Sequence, residues 1–264
     1  MAEYAAQLMV MPEISAIDGA VLDRYSAIST CMNTASAASV TNLRSWLSQS
    51  AIHRERLDAR WSGLRHRLSA KLAPHSSDSF DDGRSLIEWG YMDQFRSSFV
   101  EAIGVPGGFA SLLGIIHSKI EPGRVGYRDC EVWTAEDTLG NYVRYPAHQS
   151  IVEQLSRLDD FVVRYHKKYC ALTATVAMAA ISNLHPFRDG NGRVSRIVFN
   201  AIVNRGVRNT VYLPIYELSS LSNCGFLLYL REAQYFNNWG GLADFFECSC
   251  RNLFDEVADV RLPS

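Results

Sequence analysis

The chain has 264 residues, long enough for one large domain or two small ones with a buried core. Apolar residues make up 47% of the chain and charged residues 20%, which is ordinary for a soluble globular protein. The formal net charge of -2 excludes a global attraction to nucleic acid or to an anionic membrane.

The N-terminal third of the chain is predicted to be helical. Apolar residues recur at spacings of three and four from Leu57 to Leu72, which marks one face of an α-helix. The opposite face, within residues 54–71, carries arginines and a lysine. We interpret it as a solvated helix face rather than a phosphate-binding surface, since exposed charge is usual on an amphipathic helix. Residues 74–83 are polar and predict a loop.

Two further helices and a hairpin are predicted in the middle of the chain. The helices run from Arg84 to Ile103 and from Phe109 to Ile120, separated by the turn residues 105–108. From Tyr127 to Tyr145 the pattern changes to short apolar stretches around a loop over residues 136–141, which predicts a β-hairpin.

Helical patterns return after the hairpin. Residues 150–163 predict one helix, and Tyr169–Leu184 is apolar nearly all round, which predicts a buried central helix. A helix is predicted from Val194 to Arg205, and the chain to about Val257 is predicted to be mostly helical. We therefore predict a mainly α fold with one β-hairpin.

We divide the fold into three regions. Residues 1–108 are predicted to form an N-terminal helical region, residues 109–215 a core, and residues 216–264 a set of C-terminal helices packed on that core. We expect the N-terminal region to pack on the core, and we do not treat it as necessarily an independent domain.

The segment HPFRDGNGR, residues 185–193, lies between two predicted helices. Gly190 and Gly192 allow backbone conformations in which successive N–H groups point inward, and such a nest at a helix N-terminus binds phosphate. Arg193 can pair with a further phosphate through its two-pronged guanidinium. Asp189 is a hard oxygen ligand beside these phosphates, which suits Mg²⁺. The loop therefore predicts a nucleotide-phosphate site.

His185 adds a base to this site. A neutral imidazole at the end of the buried helix can take a proton from an incoming hydroxyl. Phe187 is predicted to point into the core and Arg188 to point outward. Phosphoryl-type transfer needs positioned reactants, neutralisation of the phosphate charge and a base. The loop therefore predicts a nucleotidyltransferase.

The same nine residues resemble the signature HPFx(D/E)GNGR of the Fic family, with every fixed position matched. The segment from Pro122 to Trp133 resembles the approach to that family's hairpin flap, and the resemblance covers roughly residues 109–250. It implies a Fic-like helical core and transfer of AMP from ATP to a hydroxyl of a target protein, with release of pyrophosphate.

The resemblance also implies roles for individual residues. His185 is the base, and Asp189 holds Mg²⁺. The donor-binding residues it implies are Gly190, Asn191, Gly192, Arg193, Arg196 and Tyr229, of which Tyr229 lines the adenine pocket. Val132 and Trp133 of the flap hold the target in an extended conformation by strand addition.

Many members of the family carry a self-inhibitory helix with the pattern (S/T)xxxE(G/N), often Ser-Ser-x-Ile-Glu-Gly, whose glutamate pairs with the motif's last arginine. The closest counterpart here is residues 49–54, with His53 where the glutamate stands, while Glu55 and Glu101 are weaker candidates. We therefore hypothesise that Arg193 lacks an acidic partner and that this inhibition is absent or weakened.

Several alternatives stay open. The same site could transfer UMP or phosphocholine, act as a kinase, or hydrolyse a phosphate bond, although His185 and Asp189 offer too few ligands for two metals. The chain could also be a non-catalytic binding or scaffold protein that uses the basic helix.

We expect a target protein and a nucleotide as partners, leave a homodimer open, and expect neither membrane nor nucleic acid. Six scattered cysteines and the lack of a signal peptide indicate a cytoplasmic protein, or an effector delivered to another cell.

Overall fold

The computed structural model of the protein describes residues 3–35, 43, 84–134, 141–205, 210–222 and 225–254. The predicted helix over residues 57–72, its basic face, and both His53 and Glu55 lie outside the described residues.

The protein belongs to the mainly α class, as predicted. The described residues contain nine α-helices: α1 (Gly19–Thr34), α2 (Arg84–Ala102), α3 (Gly108–Ile120), α4 (Ile151–Tyr165), α5 (Cys170–Leu184), α6 (Asn191–Val203), α7 (Ile215–Leu221), α8 (Gly225–Phe236) and α9 (Gly240–Phe254). The helices predicted from the apolar periodicity are all present where the chain is described. None of these helices is both long enough and apolar enough to cross a membrane.

Helices α5 and α6 form the centre of the molecule. Nearly every residue of α5 is buried, and its many alanines leave room for neighbouring helices to approach closely. Helix α6 buries Val194, Ile197 and Val198 against it. Helix α6 begins three residues before the predicted start at Val194, because Gly190 adopts a left-handed conformation and starts the helix there. The motif's last residues are therefore the first turn of a helix.

Other helices pack around this pair. Helix α2 lies against α3 and α6, α4 and α8 lie against α5, and α1 lies against both α5 and α9. The N-terminus of α3 is capped from α4, since the carboxylate of Asp159 accepts from the backbone N–H groups of Gly107 (2.8 Å) and Phe109 (2.9 Å). This cap fixes α3, whose C-terminal end reaches the motif loop.

The predicted hairpin is present, and it carries an additional strand. Backbone bonds from Thr134 N to Val143 O (2.9 Å) and from Tyr145 N to Val132 O (3.0 Å) join its two sides in antiparallel fashion. On the other side, strand β1 (Glu3–Ala5) pairs in parallel with strand β2 (Tyr142–Arg144). Strand β1 was not predicted, because three exposed residues carry no apolar periodicity.

Candidate active site

The motif loop is held rigidly between α5 and α6. Asn191 closes it with two bonds to the backbone of Phe187: its side-chain oxygen accepts from the N–H, and its amide nitrogen donates to the carbonyl, both at 2.9 Å. Phe187 is fully buried, as predicted, and stacks on His117 of α3 with ring centroids 3.9 Å apart. The Asn191 side chain is thus used within the loop, so only its backbone is available to a ligand.

The flanks of the loop are also fixed. The Nε2 atom of His117 lies 3.1 Å from the carbonyl oxygen of Asp189. Burial lowers the pKa of His117, so a neutral ring that donates from Nε2 fits this contact. Arg188 points outward, as predicted, and pairs with the exposed carboxylate of Asp129 at 2.5 Å.

His185 lies at the C-terminal end of α5 with a backbone φ of 51°, a left-handed conformation that is uncommon outside glycine. Its ring stacks on Tyr145 of the hairpin, with centroids 3.8 Å apart and planes inclined by 15°. Burial lowers the pKa of His185 to about 4, and the nearby Arg128 cation acts in the same direction. The imidazole is therefore neutral at physiological pH and able to accept a proton.

The start of α6 offers backbone donors to an anion. The first intrahelical bond runs from Val194 N to Gly190 O (2.9 Å), so the N–H groups of residues 191–193 precede it and have no partner inside the helix. The Gly190 N–H donates to Oδ1 of Asp189 at 2.6 Å. With the positive end of the helix dipole, these groups can bind a phosphate.

A cavity of about 570 Å³ opens in front of this helix terminus. It is lined by the motif and by α2, with contributions from the end of α3: Arg84, Ile87, Glu88, Tyr91, Ile120, His185, Asp189, Gly190, Asn191, Gly192, Arg193, Arg196 and Ile197. The structure thus brings the motif residues and Arg196 together around one space. Tyr229, by contrast, is not among the residues that line it.

Arg193 and Arg196, two of the three arginines that line the cavity, are paired with carboxylates. The Nη2 atom of Arg193 contacts Oε1 of Glu121, the residue that follows α3. Arg196 makes a two-pronged pair with Glu88 of α2, in which its Nε donates to Oε2 at 2.9 Å and its Nη2 to Oε1. The hypothesis that Arg193 lacks an acidic partner is therefore wrong.

Of the acids named from the sequence, only Glu101 is described, and it is not the partner of Arg193. Glu101, one candidate from the sequence, is exposed at the end of α2 and does not line the cavity. The segment from Ser85 to Glu88 reads Ser-Leu-Ile-Glu and matches only the Ser-x-Ile-Glu part of the inhibitory pattern, since Arg84 and Trp89 stand at the pattern's first and last positions.

Glu88 is anchored in a buried polar network. It is 2% exposed, and the hydroxyl of Tyr212 donates to its Oε2 at 2.6 Å. One helix turn away, the hydroxyl of Ser85 donates to the carboxylate of Glu217, which is fully buried. Burial raises the pKa of Glu217 to about 7. The start of α2 is thus attached to α7 by a group that titrates near neutrality.

The Asp189 carboxylate is exposed enough to bind a metal ion that a nucleotide also contacts. Its side chain is 63% exposed, and its Oδ2 lies 3.9 Å from Arg124, a weak solvent-exposed contact. Among the described residues, no group of three or more His, Cys, Asp or Glu side chains could hold a metal ion alone. Mg²⁺ commonly takes one or two carboxylates and completes its shell with phosphate oxygens and water. Asp189 fits an ion held jointly with a nucleotide.

The hairpin approaches His185 through Tyr145 and exposes Trp133, whose side chain is 48% accessible. The carbonyl of Val132 and the N–H of Thr134 bond to the β2 side of the hairpin. Because backbone groups of successive residues in a strand point to alternate sides, the N–H and C=O of Trp133 point away from β2, to the outer edge of the hairpin. Strand β1 covers the opposite edge, on β2. Among the described residues, no strand pairs with the outer edge at Trp133.

Tyr229, which was predicted to line the adenine pocket, lies away from the cavity. Tyr229 packs its ring closely on Gly241 of α9, where an added Cβ would lie 2.2 Å from the ring. Glu121, Arg128, His117 and Tyr145 were missed by the sequence reasoning, since a single Glu, Arg, His or Tyr outside a motif carries no signal of its partner.

Comparisons with known proteins agree with this geometry. The model of the Fic/DOC family matches residues 111–203. No curated protein is similar enough in sequence to match the chain.

Solved structures show the same fold. A Fic family protein from Desulfovibrio desulfuricans G20 superposes with a TM-score of 0.61 at 15% identity, covering 98% of this chain and 78% of that one. Fic-1 from C. elegans gives a TM-score of 0.53 at 17% identity, covering 95% and 75%. A Fic domain containing signaling protein from Bacteroides thetaiotaomicron gives 0.52 at 11% identity, covering 92% and 99%. With the motif and its geometry, the family match identifies residues 111–203 as a Fic domain.

Proposed function

We propose that this chain is a protein adenylyltransferase, which moves AMP from ATP to the hydroxyl of a Ser, Thr or Tyr side chain on a target protein. The Fic family, whose model matches residues 111–203, typically transfers nucleotide or phospho groups onto proteins. One observation carries the proposal. A neutral histidine, His185, lines the same cavity as Arg193, Arg196 and the helix N-terminus whose N–H groups precede the first intrahelical bond.

The donor is expected to bind through its phosphates. The backbone N–H groups at the start of α6 suit one phosphate, and Arg193 and Arg196 line the cavity where the following phosphates would extend. The guanidinium group of Arg193 pairs with Glu121, and that of Arg196 pairs with Glu88. Phosphates compete with these carboxylates, so nucleotide binding should depend on how firmly the two acids are held.

Asp189 would hold Mg²⁺ together with the phosphates, since its carboxylate is exposed beside the helix terminus. When bound, the ion supplies charge neutralisation to the phosphate oxygens. The bond between Asp189 and the Gly190 N–H keeps this carboxylate next to the phosphate donors before the ligand arrives.

His185 would act as the general base. Its neutral imidazole accepts the proton of the target hydroxyl, and the hydroxyl oxygen forms a bond to the α-phosphorus. The bond from that phosphorus to the bridging oxygen of the β-phosphate breaks, and pyrophosphate leaves with the bonding electrons. The product is a phosphodiester between AMP and the side chain. The partly buried position of His185 beneath the Tyr145 ring limits competition from water.

The target segment would add as a strand to the hairpin edge that carries Trp133, because the backbone groups of this residue point outward. Val132 lies beside Trp133 on the same strand. Strand β1 blocks the other edge of β2, which directs a peptide to the Trp133 side.

The proposal is tested by incubating the chain and a cell lysate with labelled nucleotides. Transfer of label from α-³²P but not from γ-³²P ATP onto protein is the expected result. Transfer from γ-³²P would indicate a kinase, and a preference for UTP or a phosphocholine donor would replace the donor assignment. H185A should abolish labelling while leaving ATP binding largely intact. If H185A labelled protein at the wild-type rate, His185 would not be the base.

The non-catalytic alternative makes a different prediction for the same assay. A scaffold protein would transfer no label from any nucleotide and would be insensitive to H185A.

A further inference from the structure

Arg128 is a buried arginine outside the motif. It lies between α3 and the hairpin and is only 4% exposed. Burial lowers the pKa of its guanidinium, so keeping the charge in this position has a cost that its contacts must offset.

The guanidinium connects two parts of the molecule. Toward the motif, Nε donates to the carbonyl of His185 at 2.7 Å and Nη2 donates to that of Leu184 at 3.3 Å. Toward the hairpin, Nη1 donates to the carbonyl of Cys130 at 2.8 Å and Nη2 to that of Pro146. The backbone N–H of Arg128 adds a bond to the carbonyl of Pro186 at 2.9 Å.

These partners are chemically unusual for a buried cation. All of them are backbone carbonyls, and no carboxylate forms an ion pair with Arg128 among the described residues. Two of the carbonyls belong to the last residue of α5 and to His185, at the negative end of the helix dipole, where carbonyls lack intrahelical partners and favour a cation. The contact therefore caps α5 while it supports the left-handed backbone of His185.

The hairpin contacts lie at the base of the structure that carries both the target-binding edge and the Tyr145 ring. Tyr145 stacks on His185 and immediately precedes Pro146, whose carbonyl Arg128 holds. Cys130 lies two residues before Val132 on the other side of the hairpin. One planar, rigid guanidinium thus sets the position of the hairpin relative to the imidazole.

We infer that Arg128 is a positioning residue, which joins the target-binding hairpin to His185 so that a docked hydroxyl is presented to the base. This inference rests on the proposed function and names the element that aligns its two substrates. Arg128 does not line the nucleotide cavity, so its role should be separable from donor binding.

R128K gives a sharp test, because an ammonium keeps the charge but cannot bond to the motif and the hairpin through a rigid fork. The rate constant kcat for self-labelling with α-³²P ATP should fall about 100-fold, the loss that a misplacement of about 1 Å produces. The KM for ATP should stay unchanged. Amide hydrogen exchange should become faster at residues 142–145 and 184–187. R157K is the matched control, since Arg157 forms an exposed pair with Glu153 on α4 and should change neither property.

A second variant covers the case in which R128K folds poorly. R128A should regain self-labelling when guanidinium chloride, but not sodium chloride at equal ionic strength, is added in the millimolar range. The inference would be overturned if R128K lost kcat and ATP affinity equally and guanidinium did not rescue R128A. An unchanged kcat or unchanged hydrogen exchange in R128K would also overturn it. If the wild-type chain labels nothing, the proposed function fails. The exchange measurement then decides alone, and faster exchange at both segments in R128K supports the coupling.

Discussion

The pair between Glu88 and Arg196 makes a prediction in which stability and nucleotide binding change in opposite directions. The Arg196 side chain is 13% exposed, and Glu88 is its buried carboxylate partner. Removing one member of a buried ion pair typically costs about 3–5 kcal/mol of stability, because the other charge stays buried without compensation. We expect E88Q and E88A to unfold at lower temperature than the wild type when no nucleotide is present.

ATP should reverse this effect. If the Glu88 carboxylate and a phosphate compete for the Arg196 guanidinium, removing the carboxylate lets the phosphate form a charged hydrogen bond worth about 1.5–3 kcal/mol. This corresponds to roughly 10–100-fold tighter ATP binding, since about 1.4 kcal/mol is a factor of ten in Kd. Self-labelling at ATP concentrations below Kd should rise by a similar factor.

The assay combines calorimetric titration with ATP, thermal unfolding with and without ATP, and labelling from α-³²P ATP. E153Q serves as the control, because Glu153 forms an exposed pair with Arg157 and should leave all three measurements unchanged. The ATP-induced rise in Tm should be larger in E88Q than in the wild type. Unchanged or weaker ATP binding in both Glu88 variants would refute the competition, and would mean that Glu88 holds Arg196 in place for the phosphates.

Three further predictions concern the same site. Since the pKa of His185 is lowered to about 4, the acid limb of kcat for labelling should fall near pH 4 rather than near 6.5; a midpoint near 6.5 would contradict a buried neutral base. The pKa of Glu217 is raised to about 7 in the folded chain, so folding favours the protonated carboxyl. Its stabilising effect is fully present at pH values below the pKa of the unfolded chain and is lost as pH rises through 7. Denaturant titrations should show this loss, about 2–3 kcal/mol between pH 5 and 8, in the wild type but not in E217Q, and parallel pH profiles would refute it. F187A should lower the free energy of unfolding by about 3–5 kcal/mol in denaturant titrations, because the ring is fully buried against His117; a loss below about 1 kcal/mol would mean that Phe187 does not anchor the loop.

Much of the fold could be predicted from local patterns. The apolar run of α5 and the apolar spacing of α4 are read within one segment, so their existence and type followed from periodicity. Strand β1 could not be found in this way, because its pairing with β2 joins residues about 140 positions apart and its own side chains are exposed.

The chemistry of the motif was predictable for a related reason. His185, Asp189 and the glycines act through their own side chains and backbone within nine residues, so the order of residue types is enough to identify a base beside an anion site. Asn191 is a partial exception. Its side chain closes the loop on Phe187 instead of facing a ligand, which depends on how tightly the loop folds.

By itself, the sequence determined the helical class, the phosphate loop and its base, because each depends on residues close together in the chain. Only the tertiary structure decided which groups surround that loop. Four contacts come from elements remote in sequence: the pair of Glu121 with Arg193, the pair of Glu88 with Arg196, the bond from Arg128 to His185, and the stack of Tyr145 on the His185 ring. The physical reason is that an ion pair or a ring stack depends on distance in space. A lone acid or arginine has no local signature, whereas the packing of α2, α3 and the hairpin against α5 and α6 brings these groups within contact.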